Sequence, residues 1–247
     1  MTNSLRHLAL LVLAVVMLGP LAILLGRTSP GAVVELLHRE PIFTWLTNSI
    51  LIAGSATIGA CLISSTAGYA LAFGRFTGRR VVLGILLAMV LLPGHTLLPG
   101  LAKTAGAAGL LNSPIAVIIP GAVTAFGVFL YTVAFRAIPI SHIDAARLDG
   151  ASELRIWWSI ALPSALPTTA AFLLLHFLGQ WNALLWPAAV LLQESQHTLP
   201  IGVATISTQA SFEARPDLLA AATLVSILPP MLWFIICERE FADGMAK

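Results

Sequence analysis

Six stretches of this chain stay apolar for longer than the roughly 18 residues a helix needs to cross a bilayer. They fall at about 6–25, 47–73, 81–101, 114–135, 165–192 and 218–238 of the 247 residues. In hydrocarbon each backbone amide and carbonyl needs an internal partner, so such stretches fold as helices. The expectation is an all-α protein of six transmembrane helices, one domain over 1–247, with the lipid bilayer as its solvent. Charge agrees, since 10% of the residues are Asp, Glu, Lys or Arg where a soluble domain has about 25%. A net charge of +2 without a Lys/Arg run argues against nucleic acid as a partner. Cys61 and Cys237 both lie in apolar stretches and read as small buried hydrophobes rather than a disulfide pair. The first stretch is longer than a signal-peptide core, and LGRTSP after it lacks a small-x-small cleavage site. It is expected to be a retained span.

Orientation follows from the basic residues between spans. With the N-terminus in the cytoplasm, that side receives Arg6, Arg75, Arg79, Arg80, Arg136, Arg147, Arg155, Arg239 and Lys247, and the opposite side Arg27, Arg39, Lys103 and Arg215. Both termini are therefore expected inside. The second stretch is rich in small residues, among them Gly54, Gly59, Ala60, Ser64, Ser65 and Gly68, which suits a helix packed among others. The third is interrupted at Pro93-Gly94, next to His95. Breaks of this kind line transport paths or serve as packing kinks.

Polar groups inside the spans concentrate in the fifth. Thr169, His176 and Gln180 share one helical face, while Asn182 points toward the side of Gly179 and Trp186. Such groups are costly in lipid and face protein or water. His95, His176, Gln180, Trp181 and Asn182 are the candidate pore-lining residues. For His176 the competing reading is a hydrogen bond between helices, and for Trp181 an interfacial anchor.

A transporter needs a source of free energy, and this sequence contains none of the usual ones. No G-x-x-x-x-G-K-[ST] loop, H-E-x-x-H, C-x-x-C or G-x-S-x-G occurs. No Asp or Glu lies deep in a span, and there is no internal repeat, so an ion-coupled carrier is disfavoured. The lack of a catalytic cluster likewise disfavours a membrane enzyme. Energy is then expected from a cytoplasmic partner, and the stretch that offers a contact is Ser141–Pro163. It reads as two short helices: Ser141 with Asp144 as a capping box, Gly150 as the stop, and Ser152 capping a second helix ended by Pro163. Ala145 and Ala146 offer a small-residue face, and Leu154, Trp157 and Trp158 are expected to anchor the second helix to the core.

Asp144-Ala145-Ala146, three residues, Gly150, nine residues, then Ile160, Ala161, Leu162 and Pro163 resemble the EAA loop of ABC importer permeases, with Asp144 where the family usually has Glu. Asn48-Ser49, Gly68-Tyr69-Ala70, Leu92-Pro93-Gly94, Gln180-Trp181-Asn182 and Thr198-Leu199-Pro200 extend the likeness to the carbohydrate-uptake subfamily, among whose members are the smaller permease of the maltose importer and its counterpart for glycerol 3-phosphate. The resemblance implies a type I importer in the inner or plasma membrane of a prokaryote. A homologous second permease completes the pore, two cytoplasmic ATPase subunits bind ATP and Mg, and an extracytoplasmic binding protein delivers the solute. It implies a transport subunit, not an enzyme, with no cofactor of its own. Asp144, Ala145, Ala146, Asp149, Gly150, Ile160, Leu162 and Pro163 are then the ATPase-coupling residues. The implied solute is a mono- or oligosaccharide, with a glycerol phosphate derivative or another small solute as the alternative.

Overall fold

The computed structural model describes residues 2–245 other than Pro93 and Ala214, with side chains described except at 2–5, 9, 95, 210–213 and 236–245. The side chains of Cys237 and His95 thus lie outside the described residues, as does Pro93. Among the described residues the chain is helical and has no strand. Helix α1 (Thr2–Arg27) is followed by a short α2 (Pro30–Arg39), which starts because the Ser29 hydroxyl accepts the Ala32 amide. Helix α3 (Ile42–Phe73) is the axis of the molecule. It begins five residues before the expected span because Ile42 and Trp45 are drawn into the core, at 2% and 1% exposure.

The expected third span is two helices, α4 (Arg79–Leu91) and α5 (Leu98–Ala107), with a 3-10 turn Gly94–Leu97 between them. Leu92, the residue before a proline, is extended (φ −76°, ψ 128°), as the proline ring requires. The fourth consists of α6 (Ile115–Gly121) and α7 (Ala125–Arg136), the latter capped by Thr124. Then come α8 (Ile140–Leu148), α9 (Glu153–Ser164), α10 (Leu166–Trp181), α11 (Leu185–Val190), α12 (Leu199–Glu213) and α13 (Pro216–Met245). The expected fifth stretch is thus divided between two helices, α10 and α11, with a break at 182–184.

Among the described residues four segments are long and apolar enough to cross a membrane: Arg6–Arg27, Ile42–Phe73, Ile115–Arg136 and Pro216–Ile235. A fifth is counted if α9 and α10, bent by 82° where they meet, are taken together. The shortfall from six comes from α4, only 13 residues long. Burial separates centre from rim, for 44% of the apolar window of α3 is buried and 0% of that of α1.

The small residues of α3 are what make it central. A Cβ on Gly68 would sit 2.6 Å from the Cβ of Tyr131 and 3.0 Å from the Thr132 amide of α7, and one on Gly59 would sit 3.0 Å from Ala122. The backbones meet there, and α3 packs in turn against α6, α7, α10 and α12. One core cluster gathers Tyr69, Phe73, Tyr131, Phe135 and Phe172 with Ile143 and Ile156 of the connecting elbow. A second, at the opposite end of α3, gathers Leu36, Trp45, Trp181, Leu199 and Leu218.

Candidate functional site

The elbow between α7 and α10 is built from local rules, though not all of those expected. Its first helix starts at Ile140 after Pro139, with no side-chain cap. Ser141 and Asp144 do not form the capping box. Pro139 already takes the cap position, which places Ser141 inside the first turn. Asp144 turns instead to Arg147, Oδ1 to Nη1 3.0 Å. The C-terminus follows expectation. Gly150 stands at φ +80°, its amide donates to Arg147 O, and the Ala151 amide donates to Ala146 O, both at 3.0 Å. That paired closure needs a left-handed residue, which favours glycine. Ser152 then caps α9 by accepting the Arg155 amide at 3.4 Å.

The second helix ends at Ser164, one residue past Pro163. The ladder widens over Trp157–Ala161, where the Leu162 amide donates to Trp157 O, and the helix continues to Ser164. The chain bends at Ala165 (φ −101°, ψ 21°), flanked by Pro163 and Pro167, each lacking the amide that would carry the ladder across. The anchors also differ from expectation. Ile143 and Ile156 are at 0% exposure and Trp157 at 7%, while Leu154 and Trp158 are exposed. Each fully buried aliphatic side chain stabilises the docked elbow by about 1.5–3 kcal/mol.

Of the coupling candidates, Ala145, Asp149, Gly150 and Pro163 are exposed, while Asp144, Ala146, Ile160 and Leu162 are half-buried. Ala146, Ile160 and Leu162 pack against the core cluster. One residue at the tip was not anticipated: Leu148, 89% exposed and on the face of Ala145 one turn earlier. Its signal was present as an apolar residue between Arg147 and Asp149, where nothing in the elbow covers it.

Arg147 and Glu153 organise the polar side. The Arg147 Nε is 2.8 Å from Glu153 Oε1 and its Nη2 3.2 Å from Oε2, while Nη1 holds Asp144. These carboxylates, Glu153 foremost, hold the guanidinium still more firmly in its charged form. The Tyr69 hydroxyl of α3 donates to Glu153 Oε2 at 2.7 Å. A groove of about 560 Å³ opens beside them, bordered by Tyr69, Phe73, Arg75, Asp144, Arg147 and Glu153. Tyr69 and Glu153 lie 84 residues apart, beyond the reach of any local pattern.

The candidate pore residues do not form one constellation. His176 Nδ1 lies 3.2 Å from the Thr57 hydroxyl, joining α10 to α3. Gln180 covers Gly121 of α6 so closely that a Cβ there would be 2.8 Å from its Oε1. Thr169 bonds back to Ala165 O. Trp181 is enclosed, at 2% exposure, and its indole donates to Ser226 O of α13 at 3.2 Å. Asn182 is exposed and donates to Leu178 O at 2.9 Å. It borders a groove of about 480 Å³ whose other walls are Val203, Thr223, Ser226, Ile227, Pro230 and Met231. Hydroxyls, an amide and apolar surface line this groove, with no charged side chain among them.

The end of α3 opposite the elbow grips a loop by its backbone. The Trp45 indole donates to Glu194 O at 3.3 Å, and the Asn48 amide to Ser195 O at 2.9 Å and His197 O at 3.0 Å. The Ser49 hydroxyl accepts the Leu199 amide at 2.7 Å. Asn112, at φ +58°, accepts the Leu192 and Gln193 amides at 2.7 and 3.0 Å.

Residues 64–236 match the family described as "Binding-protein-dependent transport system inner membrane component". The chain is 35% identical over 203 residues to the arabinooligosaccharides transport system permease protein AraQ of Halalkalibacterium halodurans, covering 82% of this chain and 72% of that protein. It is 33% identical over 205 residues to the lactose transport system permease protein LacG of Rhizobium radiobacter, covering 83% and 74% respectively. In fold it is similar to a chain in the crystal structure of a bacterial ABC transporter involved in the import of the acidic polysaccharide alginate, with a TM-score of 0.85 and 21% identity over 97% of this chain and 96% of that one.

Proposed function

Because this chain belongs to the binding-protein-dependent transport family of inner-membrane components, transport subunits rather than enzymes, we propose that it forms half of the pore of an ATP-driven sugar importer. A homologous permease supplies the other half, and an extracytoplasmic binding protein delivers the solute. Two ATP- and Mg-binding subunits drive alternating access through the elbow. Six spans follow if α4 with α5 makes the third and α10 with α11 the fifth. The elbow and both termini are then cytoplasmic, in keeping with the nine basic residues assigned to that side.

The observation that carries this reading is the tip of the elbow. A leucine 89% exposed on a helix closed by a glycine cap and pinned behind by Ile143 is a rigid apolar knob, which suits a groove on a soluble partner. Ala145, Asp149 and Gly150 surround it, and Asp144 lies within reach of a basic residue of that partner. Replacing Leu148 by Asp or Ala145 by Glu is expected to leave the protein inserted and folded while the ATPase subunits no longer co-purify and sugar uptake is lost. Retention of both by either variant would sink the proposal.

The solute class rests on the relatives that import arabinooligosaccharides and lactose and on the uncharged groove beside Asn182. Neutral sugars present hydroxyls and flat C–H faces, which amide, hydroxyl and apolar walls match without a counter-charge. A neutral mono- or oligosaccharide is therefore proposed. Calorimetry of the cognate binding protein with neutral oligosaccharides, uronate oligosaccharides and glycerol phosphate decides it, and binding confined to the anionic ligands would overturn the class.

A further inference from the structure

Resting on the coupling role proposed above, we infer that the Tyr69–Glu153 hydrogen bond is the joint through which the elbow moves the membrane-spanning core, with α3 carrying that motion to the opposite end of the subunit. Three observations bear on this. Arg147 of α8 bonds to Glu153 of α9 through two nitrogens and to Asp144 through a third, so both elbow helices move as one body and Glu153 is its vertex. That vertex has a second partner, the hydroxyl of Tyr69, at 2.7 Å. Tyr69 itself is buried, at 7% exposure, and sits in one unbroken helix with Trp45 and Asn48.

The energetics argue for a positioning role over a stabilising one. The side chains of Asp144 and Glu153 are 48% and 58% exposed, and ion pairs so open to water contribute little to stability. What they do provide is direction, because a charge-assisted hydrogen bond is short and oriented. Helix α3 is one continuous helix from Ile42 to Phe73, without an internal proline, and on this inference it carries a displacement along its axis. From Tyr69 to Trp45 it covers about 36 Å at 1.5 Å per residue. There Trp45 and Asn48 hold the carbonyls of Glu194, Ser195 and His197. A pull on Glu153 therefore reaches the loop on the far side.

Tyr69→Phe isolates the joint, since it removes one oxygen, keeps the ring volume and leaves Glu153 solvated and still paired with Arg147. The experiment uses the complete transporter, with second permease, ATPase subunits and binding protein, reconstituted in liposomes. Sugar uptake and ATP hydrolysis are measured together. Wild-type complex yield and continued hydrolysis are expected, with sugar imported per ATP reduced at least about fivefold, within the range of coupling between distant sites. Glu153→Ala removes the same bond from the other side, and the double variant is expected to be no worse than the poorer single one. An unchanged ratio in Tyr69→Phe would overturn the inference. So would loss of assembly in that variant, which would make the hydroxyl a folding element. Failure of the wild-type chain itself to assemble with an ATPase would instead remove the functional premise.

Discussion

The two ends of α3 are held by different chemistry. At the elbow end the grip runs from side chain to side chain, Tyr69 to Glu153 to Arg147 to Asp144, in water-exposed ion pairs. At the opposite end Trp45, Asn48 and Ser49 hold main-chain groups of residues 194–199. A side-chain grip depends on single atoms, and one substitution undoes it. A main-chain grip fixes a loop's shape whatever side chains that loop displays. The first arrangement suits a joint that moves in every cycle, the second a surface whose outline is kept constant for a docking partner.

The largest expected break is on the elbow side. Gly150→Pro requires a φ near −65° where the chain has +80°, and it deletes the amide that closes α8 onto Arg147 O. We expect normal insertion and a loss of ATP-driven uptake of more than about tenfold, since incompatible proline substitutions cost about 3 kcal/mol or more. Wild-type uptake would show that the tip needs no defined shape. On the opposite side, Gly202→Ala would push a methyl into the indole of buried Trp45. Overpacking of this kind costs about 1–3 kcal/mol, read as a lower Tm of the purified protein in detergent and faster proteolysis of the 191–198 loop. Protection of that loop equal to wild type would mean that Trp45 does not set it.

The smallest effect concerns charge at that same end. Arg215 bonds to Glu35 at 2.8 Å and holds its carboxyl below the ordinary range. A depressed value in the folded state stabilises above the unfolded value of about 4.3, and the contribution disappears as pH falls through the folded value. Thermal unfolding in detergent between pH 7 and pH 3 is expected to show a slight loss of stability below pH 4.3 that Glu35→Gln removes. An identical acid response in the variant would sever this pair from the stability of the end it joins.

Much of the fold was readable because its causes are local or compositional. Apolar length predicts helices, small residues predict the tightly packed α3, and Gly150 and Ser152 shape the elbow with groups a few residues away. The errors in the elbow arose where a neighbouring residue overrides a local signal. Ser141 looks like a cap until Pro139 takes that position, and Leu154 and Trp158 look like anchors until the widened turn at Trp157 directs Ile156 and Trp157 inward. In the candidate sites, the exposed face at Ala145 and Asp149 was visible in the pattern. Tyr69 with Glu153, His176 with Thr57 and Trp181 with Ser226 were not, because each pair joins helices far apart in sequence and nothing along the chain marks the partner.

The length of α3 bears on where water reaches its two grips. They lie about 36 Å apart along the axis, and the hydrocarbon layer of a bilayer is about 30 Å thick. With a modest tilt, both grips fall in the headgroup layers, one on each face. The ion pairs around Glu153 are then never desolvated in lipid, and the carbonyls held by Asn48 keep access to water. A thinner or thicker membrane changes the tilt of α3 and so the position of both grips at once. On the coupling proposed above, reconstituting the protein in lipids of different chain length is expected to change its uptake rate.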